Sequence, residues 1–166
     1  MTGSSMPPIH ANVTRVEAAA AAAGVVISVR RFPEGTRTAE DAARAVGCDV
    51  DQIVKSLVFM VDGDPVVALM AGSDRLDPLR LAAALGAEHV RRADGDEVRA
   101  ATGFSIGGVP PFGHATPLRV LIDKHLLDHP LVWAAAGLPD AVFSIEPGEL
   151  ARVAEARTAS LAAAAS

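Results

Sequence analysis

Cysteine is almost absent from this chain of 166 residues. Cys48 stands alone, which excludes an internal disulfide and a multi-cysteine metal site. It lies in "VGCDVDQ", between a helix stop and the next helix cap, and reads most simply as a small apolar filler at an element junction. A dense Lys/Arg cluster is missing too, and the formal net charge is −5 with an isoelectric point near 5.5. Gripping a nucleic-acid backbone along its length needs several cations that release counterions, so only a small local contact to a phosphate is expected. No apolar run approaches membrane-spanning length. The first ten residues, "MTGSSMPPIH", are polar and proline-containing, unlike a secretory signal with its basic start and apolar core. The expectation is a soluble, cytoplasmic protein with no membrane or DNA partner. There is also no phosphate-loop signature, no GxSxG, no HExxH, and no helix with paired histidine or acidic ligands at metal spacing. His125 and His129 flank the short "DKHLLDHP" and read as surface histidines, and His10 falls in the N-terminal tail. No cofactor or metal is expected.

What is present is apolar material: half of the residues are hydrophobic and the mean hydropathy is +0.29. That suffices for one well-buried domain, placed at residues 12–156 between a flexible tail at 1–11 and a frayed alanine-rich tail at 157–166. An alanine run stopping at Gly24 predicts a helix, and the β-branched run Val25–Val29 a strand after it. Thr38 with Gly47, Asp77–Pro78 with Gly86, and Asp94 with Gly103 bracket three further helices as N-cap and C-terminal stop. Asp49 and Gln52 cap one short turn. "IVKSLVFMV" and "PVVALMAG" are strands joined through "DGD", in which Gly63 supplies a positive φ. "EHVRR", "LRVLID", "LVWAAAG" and "AVFSIE" read as further strands, and a helix runs from Pro147 to about Ala156. The hairpin excludes a purely parallel doubly wound sheet and predicts an α+β fold, with a mixed, mostly antiparallel sheet flanked by helices.

Three segments carry candidate chemistry. In "QIVKSLVFMVDG" both faces of the strand are apolar beyond Ser56, so Lys55 at its head is out of place. It is either a lysine snorkelling from a strand end or a cation at the mouth of a cleft, set to meet a phosphate or a developing oxyanion. In "TGFSIGGVPPFGH" closely spaced glycines let the main chain approach a ligand and free amides converge on an anion, while Pro110 and Pro111 stiffen the segment. In "AGSDRLDPLRLAAALGA" Asp77 is explained by capping. Ser73 and Arg75 either line the same cleft or belong to a solvated loop.

In their order, "DQIVKSLVF", "DGDPVVALMAGSDRLDPLRLAAALGA", "RADGDEVRAATGFSIGGVPPFGH", "LRVLIDKHLL" and "VWAAAGLPDAVFSIEPGEL" closely resemble the YbaK/prolyl-tRNA synthetase-associated domain family, over roughly residues 12–155. The family consists of editing domains that hydrolyse mischarged aminoacyl-tRNA. The resemblance implies an α+β fold with a pocket for the aminoacyl group. Lys55 would contact the terminal nucleotide or the ester carbonyl. Thr102, Gly103, Gly107, Gly108, Val109, Pro110 and Gly113 would form a pocket wall whose amides, those of Gly107 and Gly108 above all, face the scissile carbonyl. Phe32 and Ser56 would complete the pocket. An aminoacyl ester is already activated and a neighbouring ribose hydroxyl can assist a water, so positioning and charge stabilisation suffice without a triad. The expected function is thus a trans-acting aminoacyl-tRNA deacylase; the alternative is a module that binds the same tRNA end, or a synthetase, without hydrolysis. Where the cysteinyl-tRNA deacylase branch carries a pocket serine and an aspartate, this chain has Ala135 and Val142, which argues against that branch's substrate and thiol-assisted mechanism. A small residue, Ala, Ser, Thr or Cys, is implied as the acyl group. The implied partners are the tRNA 3′ end and, in passing, a synthetase or elongation factor.

Overall fold

The computed structural model describes residues 10–32 and 38–164. In chain order they form α1 (Ala11–Ala22), β1 (Val29–Arg31), α2 (Ala39–Val46), β2 (Val54–Val61), β3 (Asp64–Ala71), α3 (Pro78–Leu85) and β4 (Val90–Arg92). There follow α4 (Gly95–Thr102), β5 (Arg119–Asp123), β6 (Val132–Ala135), β7 (Ala141–Ile145), α5 (Pro147–Ala154) and β8 (Arg157–Ala159), with 3-10 turns at Val50–Gln52 and Lys124–Asp128.

Local chemistry explains the element boundaries. Thr38 Oγ1 accepts from the Asp41 amide at 3.0 Å, and Asp94 and Glu97 close a reciprocal capping box at the start of α4. Asp77 caps α3 with Pro78 at its first position, and Gly47, Gly86 and Gly103 take the left-handed conformation at three helix ends. The β2–β3 hairpin turns on Asp62 and Gly63, both at positive φ (49° and 87°), in the form that matches the twist of the flanking strands.

The α+β class holds, but the strands divide into two sheets where one was expected. One has the order β4-β2-β3-β5-β8, with β3–β5 and β5–β8 parallel; the other, β1-β7-β6, is antiparallel. β2 and β3 are buried on both faces. Val54, Val58, Val67 and Leu69 join the larger core with α1, α4 and the small sheet, whereas Phe59, Val61, Val66, Ala68 and Met70 join a second core with Leu81 and Leu161. This two-sided burial is why the two strands read as continuous apolar runs rather than alternating ones.

Three expectations fail. The strand predicted from Val25 begins only at Val29, because the Val25 amide closes α1 on the Ala20 carbonyl (2.9 Å) and Val26 is 95% exposed. His10 is no tail residue: its Nδ1 accepts from the Asn12 amide at 3.0 Å and caps α1. Nor do residues 157–164 fray. β8 pairs with β5, Leu161 is fully buried, and its amide donates to Asp123 Oδ1 at 2.7 Å. The rest of the predicted N-terminal tail, residues 1–9, lies outside the described residues.

Candidate functional site

Strand alternation determines what surrounds Lys55. Residues 54, 56, 58 and 60 of β2 face the larger core and residues 55, 57, 59 and 61 the second, so Lys55 and Ser56 serve opposite sides of one sheet. On the Ser56 side, β2 and the small sheet enclose a cleft of about 280 Å³. Ile53, Val54 and Val58 line it with Trp133, Ala134 and Ala135 of β6, Val142 of β7, Ile106, Gly107 and Val109 of the glycine/proline segment, and Thr38, Ala39 and Ala42 around α2. The volume sits just under the roughly 300–1,000 Å³ of pockets that hold drug-sized ligands, so a small group fits. Ser56 Oγ is buried with no hydrogen-bond partner among the described residues. It is an unpartnered polar atom in a cleft lined chiefly by apolar side chains.

On the other side lies a more open depression of about 430 Å³, lined by Lys55, Phe59, Ser73, Asp74, Arg75 and Arg92 among others. Lys55, Leu57 and Arg92 border both spaces. Lys55 is half-buried, and its Nζ donates to the Asp74 carbonyl at 2.5 Å. Burial pulls its pKa below the usual lysine value; the negative charge of Asp74 opposes this and the nearby Arg92 adds to it. The Asp74 carboxylate itself accepts from His125 Nδ1 at 2.9 Å, and this contact raises the pKa of the imidazole. Asp74, Asp123 and His125 bring one ligand atom each within 4.8 Å of one another. Yet Asp123 already accepts from the amides of His125, Leu161 and Ala162, so the trio reads as a hydrogen-bonded hub.

Lys55, Ser56, Gly107, Val109 and Ala135 come together around the cleft, and Ser73 and Arg75 gather across Lys55 in the depression. The other expected site residues lie outside both linings, each with a structural reason. Thr102 is fully buried, its hydroxyl bonded to the Val98 carbonyl (2.7 Å) and accepting from the Phe104 amide. Gly103 ends α4 at φ 82°, and Gly113, at φ 80°, lies against Ala19 of α1. The Pro110 carbonyl bonds His114 Nε2 at 2.8 Å. Phe32 continues β1 through its amide to the Asp140 carbonyl (2.7 Å) and stacks against Arg30. Gly108 is buried behind the wall, and its amide, expected to face a carbonyl ligand, donates instead to Ser105 O at 3.0 Å. The amides of Gly107 and Val109 find no acceptor among the described residues. Trp133, Ile106, Arg92, Asp74 and His125 escaped the sequence reading. Trp133 could have been found as the single large side chain at the head of a strand otherwise rich in alanine.

Fold and site together define an α+β domain with a small cleft and a half-buried cation at its mouth. The model of the aminoacyl-tRNA editing domain family matches residues 33–153, and the chain belongs to that family. It is 33% identical over 123 residues to the uncharacterised protein YwhH of Bacillus subtilis, covering 74% of this chain and 78% of that one. It is 36% identical over 92 residues to a proline–tRNA ligase of Nitratidesulfovibrio vulgaris, covering 55% of this chain but only 16% of the ligase. Among solved structures, a candidate trans-editing enzyme for prolyl tRNA synthetase superposes with a TM-score of 0.89 at 42% identity, over 95% of this chain and all of the other. No helix among the described residues is long and apolar enough to cross a membrane.

Proposed function

We propose that this chain is a trans-acting deacylase that hydrolyses the ester of a mischarged aminoacyl-tRNA. The observation that carries the reading is the cleft: about 280 Å³, lined chiefly by apolar side chains, with Lys55 at its edge and the uncommitted amides of Gly107 and Val109 in its wall. A small acyl group, Ala, Ser, Thr or Cys, enters the cleft. The Lys55 ammonium and the loop amides bear on the ester carbonyl where negative charge develops, and the adjacent ribose hydroxyl assists the attacking water. Ser73, Arg75 and Arg92 then offer the depression across Lys55 to the nucleotide that carries the ester. Ala135 and Val142, small and apolar in the cleft wall, favour a substrate without a thiol-dependent mechanism. The likeness to a candidate trans-editing enzyme and to part of a proline–tRNA ligase supports prolyl-tRNA synthetase, or its tRNA, as the partner. At a net charge of −5 the chain grips only the 3′ end, so its tRNA affinity is weak and salt-sensitive.

The test is a panel of tRNAs mischarged with alanine, serine, threonine or cysteine. Turnover of at least one is expected, with Lys55→Ala losing about a hundredfold or more in kcat/KM, the scale of removing a charge-stabilising donor. No turnover on any tRNA, or full activity in Lys55→Ala, overturns the reading.

A further inference from the structure

The carboxylate closest in sequence to the carbonyl that holds Lys55 is that of Asp74 itself, and it is the natural counter-ion for the ammonium. It is used otherwise. Lys55 Nζ takes the Asp74 carbonyl, while the Asp74 carboxylate is bonded to His125 Nδ1 at 2.9 Å. Among the described residues no carboxylate lies within 4.0 Å of Lys55 Nζ. The neighbourhood makes this arrangement consequential, because Arg75 and Arg92 share the depression with Lys55, and Asp74 is the one carboxylate in its lining among the described residues. A carboxylate free to swing would pair with Lys55 or Arg75 and mask the charge that a ligand must meet.

The segment around Asp74 is fixed from several directions. The Asp74 amide bonds Ala71 O at 3.0 Å, the Arg75 carbonyl accepts from Ala163 at 2.7 Å, and the Asp77 amide donates to Leu161 O at 2.9 Å. His125 is held in turn, its amide donating to the buried Asp123 at 3.1 Å and its ring lying 3.4 Å from the same carboxylate. The main chain on both sides of the contact is thus fixed, and the Asp74–His125 bond sets where the Asp74 carboxylate points.

We propose that His125 is a positioning residue: by holding the Asp74 carboxylate it keeps Lys55 bonded to a neutral carbonyl and available to the ligand. A carbonyl partner leaves the ammonium without a direct ion pair, with Asp74 and Glu40 acting on it only through space, whereas an ion pair would have to be broken each time a substrate bound. The inference rests on the reading of Lys55 as the group that meets the ester.

Two measurements separate it from that reading. The first is the titration of Lys55 followed by NMR of its side-chain carbons in the wild type, His125→Ala, His125→Gln and His125→Ala/Asp74→Asn. Release of Asp74 in His125→Ala raises the Lys55 midpoint, glutamine, which retains an N–H donor, leaves it near wild type, and the double substitution cancels the rise. The second is hydrolysis of whichever mischarged tRNA of the panel is turned over. His125→Ala raises KM roughly two- to fivefold with little change in kcat, the scale of a partly exposed ion pair, and adding Asp74→Asn restores it. An unmoved Lys55 titration in His125→Ala, or a double variant as impaired as the single one, overturns the proposal. Full activity in Lys55→Ala overturns the reading of the site instead, and the titration still decides the role of His125.

Discussion

Replacing Gly108 by valine separates a backbone role for the glycine/proline segment from a side-chain role. Gly108 is buried, and a Cβ added there would meet Leu138 Cα at 3.0 Å, Gly137 O at 3.1 Å and Leu138 C at 3.1 Å. All three are main-chain atoms of the β6–β7 connection. Carbon contacts relax to about 3.5–4.0 Å, so the segment must retreat by roughly half an ångström or more. Valine's further methyls make the overlap worse, and such overpacking costs about 1–3 kcal/mol, or roughly 2–12 °C in Tm for a chain of this length. The retreat also carries away Gly107 and Val109, which line the cleft on either side. Displacement on the ångström scale at a reacting centre costs up to about a hundredfold, so a loss of at least tenfold in kcat/KM is expected on whichever mischarged tRNA is turned over. His114→Ala is the control. Its ring bonds the Pro110 carbonyl at 2.8 Å and lines neither space, and burial pulls its pKa below the usual histidine value, so it sits there neutral. Losing that one bond costs about 1 kcal/mol and leaves kcat/KM within about threefold. Differential scanning calorimetry and single-turnover deacylation on both variants make the comparison. A His114→Ala enzyme more damaged in activity than Gly108→Val would refute the main-chain role of the segment.

Three further expectations follow from the packing and the charges. Leu161→Ala empties a fully buried site and should cost about 2–5 kcal/mol in urea denaturation, whereas a residue in a frayed tail would change stability by less than about 0.5 kcal/mol. Ser56→Ala removes a buried hydroxyl without a partner and should raise Tm by roughly 2–4 °C, about 1 kcal/mol, in the ligand-free protein; a lowered Tm would mean that the hydroxyl is satisfied. Arg91 bonds Glu97 through both carboxylate oxygens and holds its pKa at about 2 against an ordinary 4.5. A depressed carboxyl contributes stability above its unfolded value and loses it as pH falls through the folded one. The stability gap between wild type and Glu97→Gln should therefore close between pH 4.5 and about 2, and a gap independent of pH would count against the ion pair.

The parts of the fold legible in the sequence are those decided within a few residues. Thr38, Asp77 and Asp94 mark helix starts because a side-chain oxygen meets an amide two or three positions on, and Asp62–Gly63 marks the hairpin because the turn itself demands positive φ. Features decided at long range were missed. The division into two sheets depends on β7 choosing β1 and β6 as neighbours, about which Ala141–Ile145 carries no local signal. Residues 157–163 look like a fraying tail by composition, yet they are fixed by Asp123, Arg75 and Leu76, all far away in sequence. The strand that begins at Val29 rather than Val25 is a local failure: a helix C-terminus took the Val25 amide before a strand could.

The site follows the same division. Lys55 stood out because a charge at the head of a two-sided apolar strand breaks a local pattern, and the glycine/proline segment because its composition is unusual for any regular element. The pattern was read as one cleft, and alternation makes it two spaces. Lys55 and Ser56 are adjacent in sequence and therefore on opposite faces of β2, so Ser73 and Arg75 keep company with the lysine while Ala135 and Val109 keep company with the serine. What orients Lys55 was out of reach, because Asp74 and His125 meet across 51 residues and neither departs from its local context. Gly108 carries the same lesson in reverse. A glycine among glycines suggests amides for a ligand, yet its own amide is spent on Ser105, and what forbids a side chain there is the main chain of Gly137 and Leu138. The residue that shapes the wall is thus behind it, and its neighbours Gly107 and Val109 are the ones left to face whatever the cleft admits.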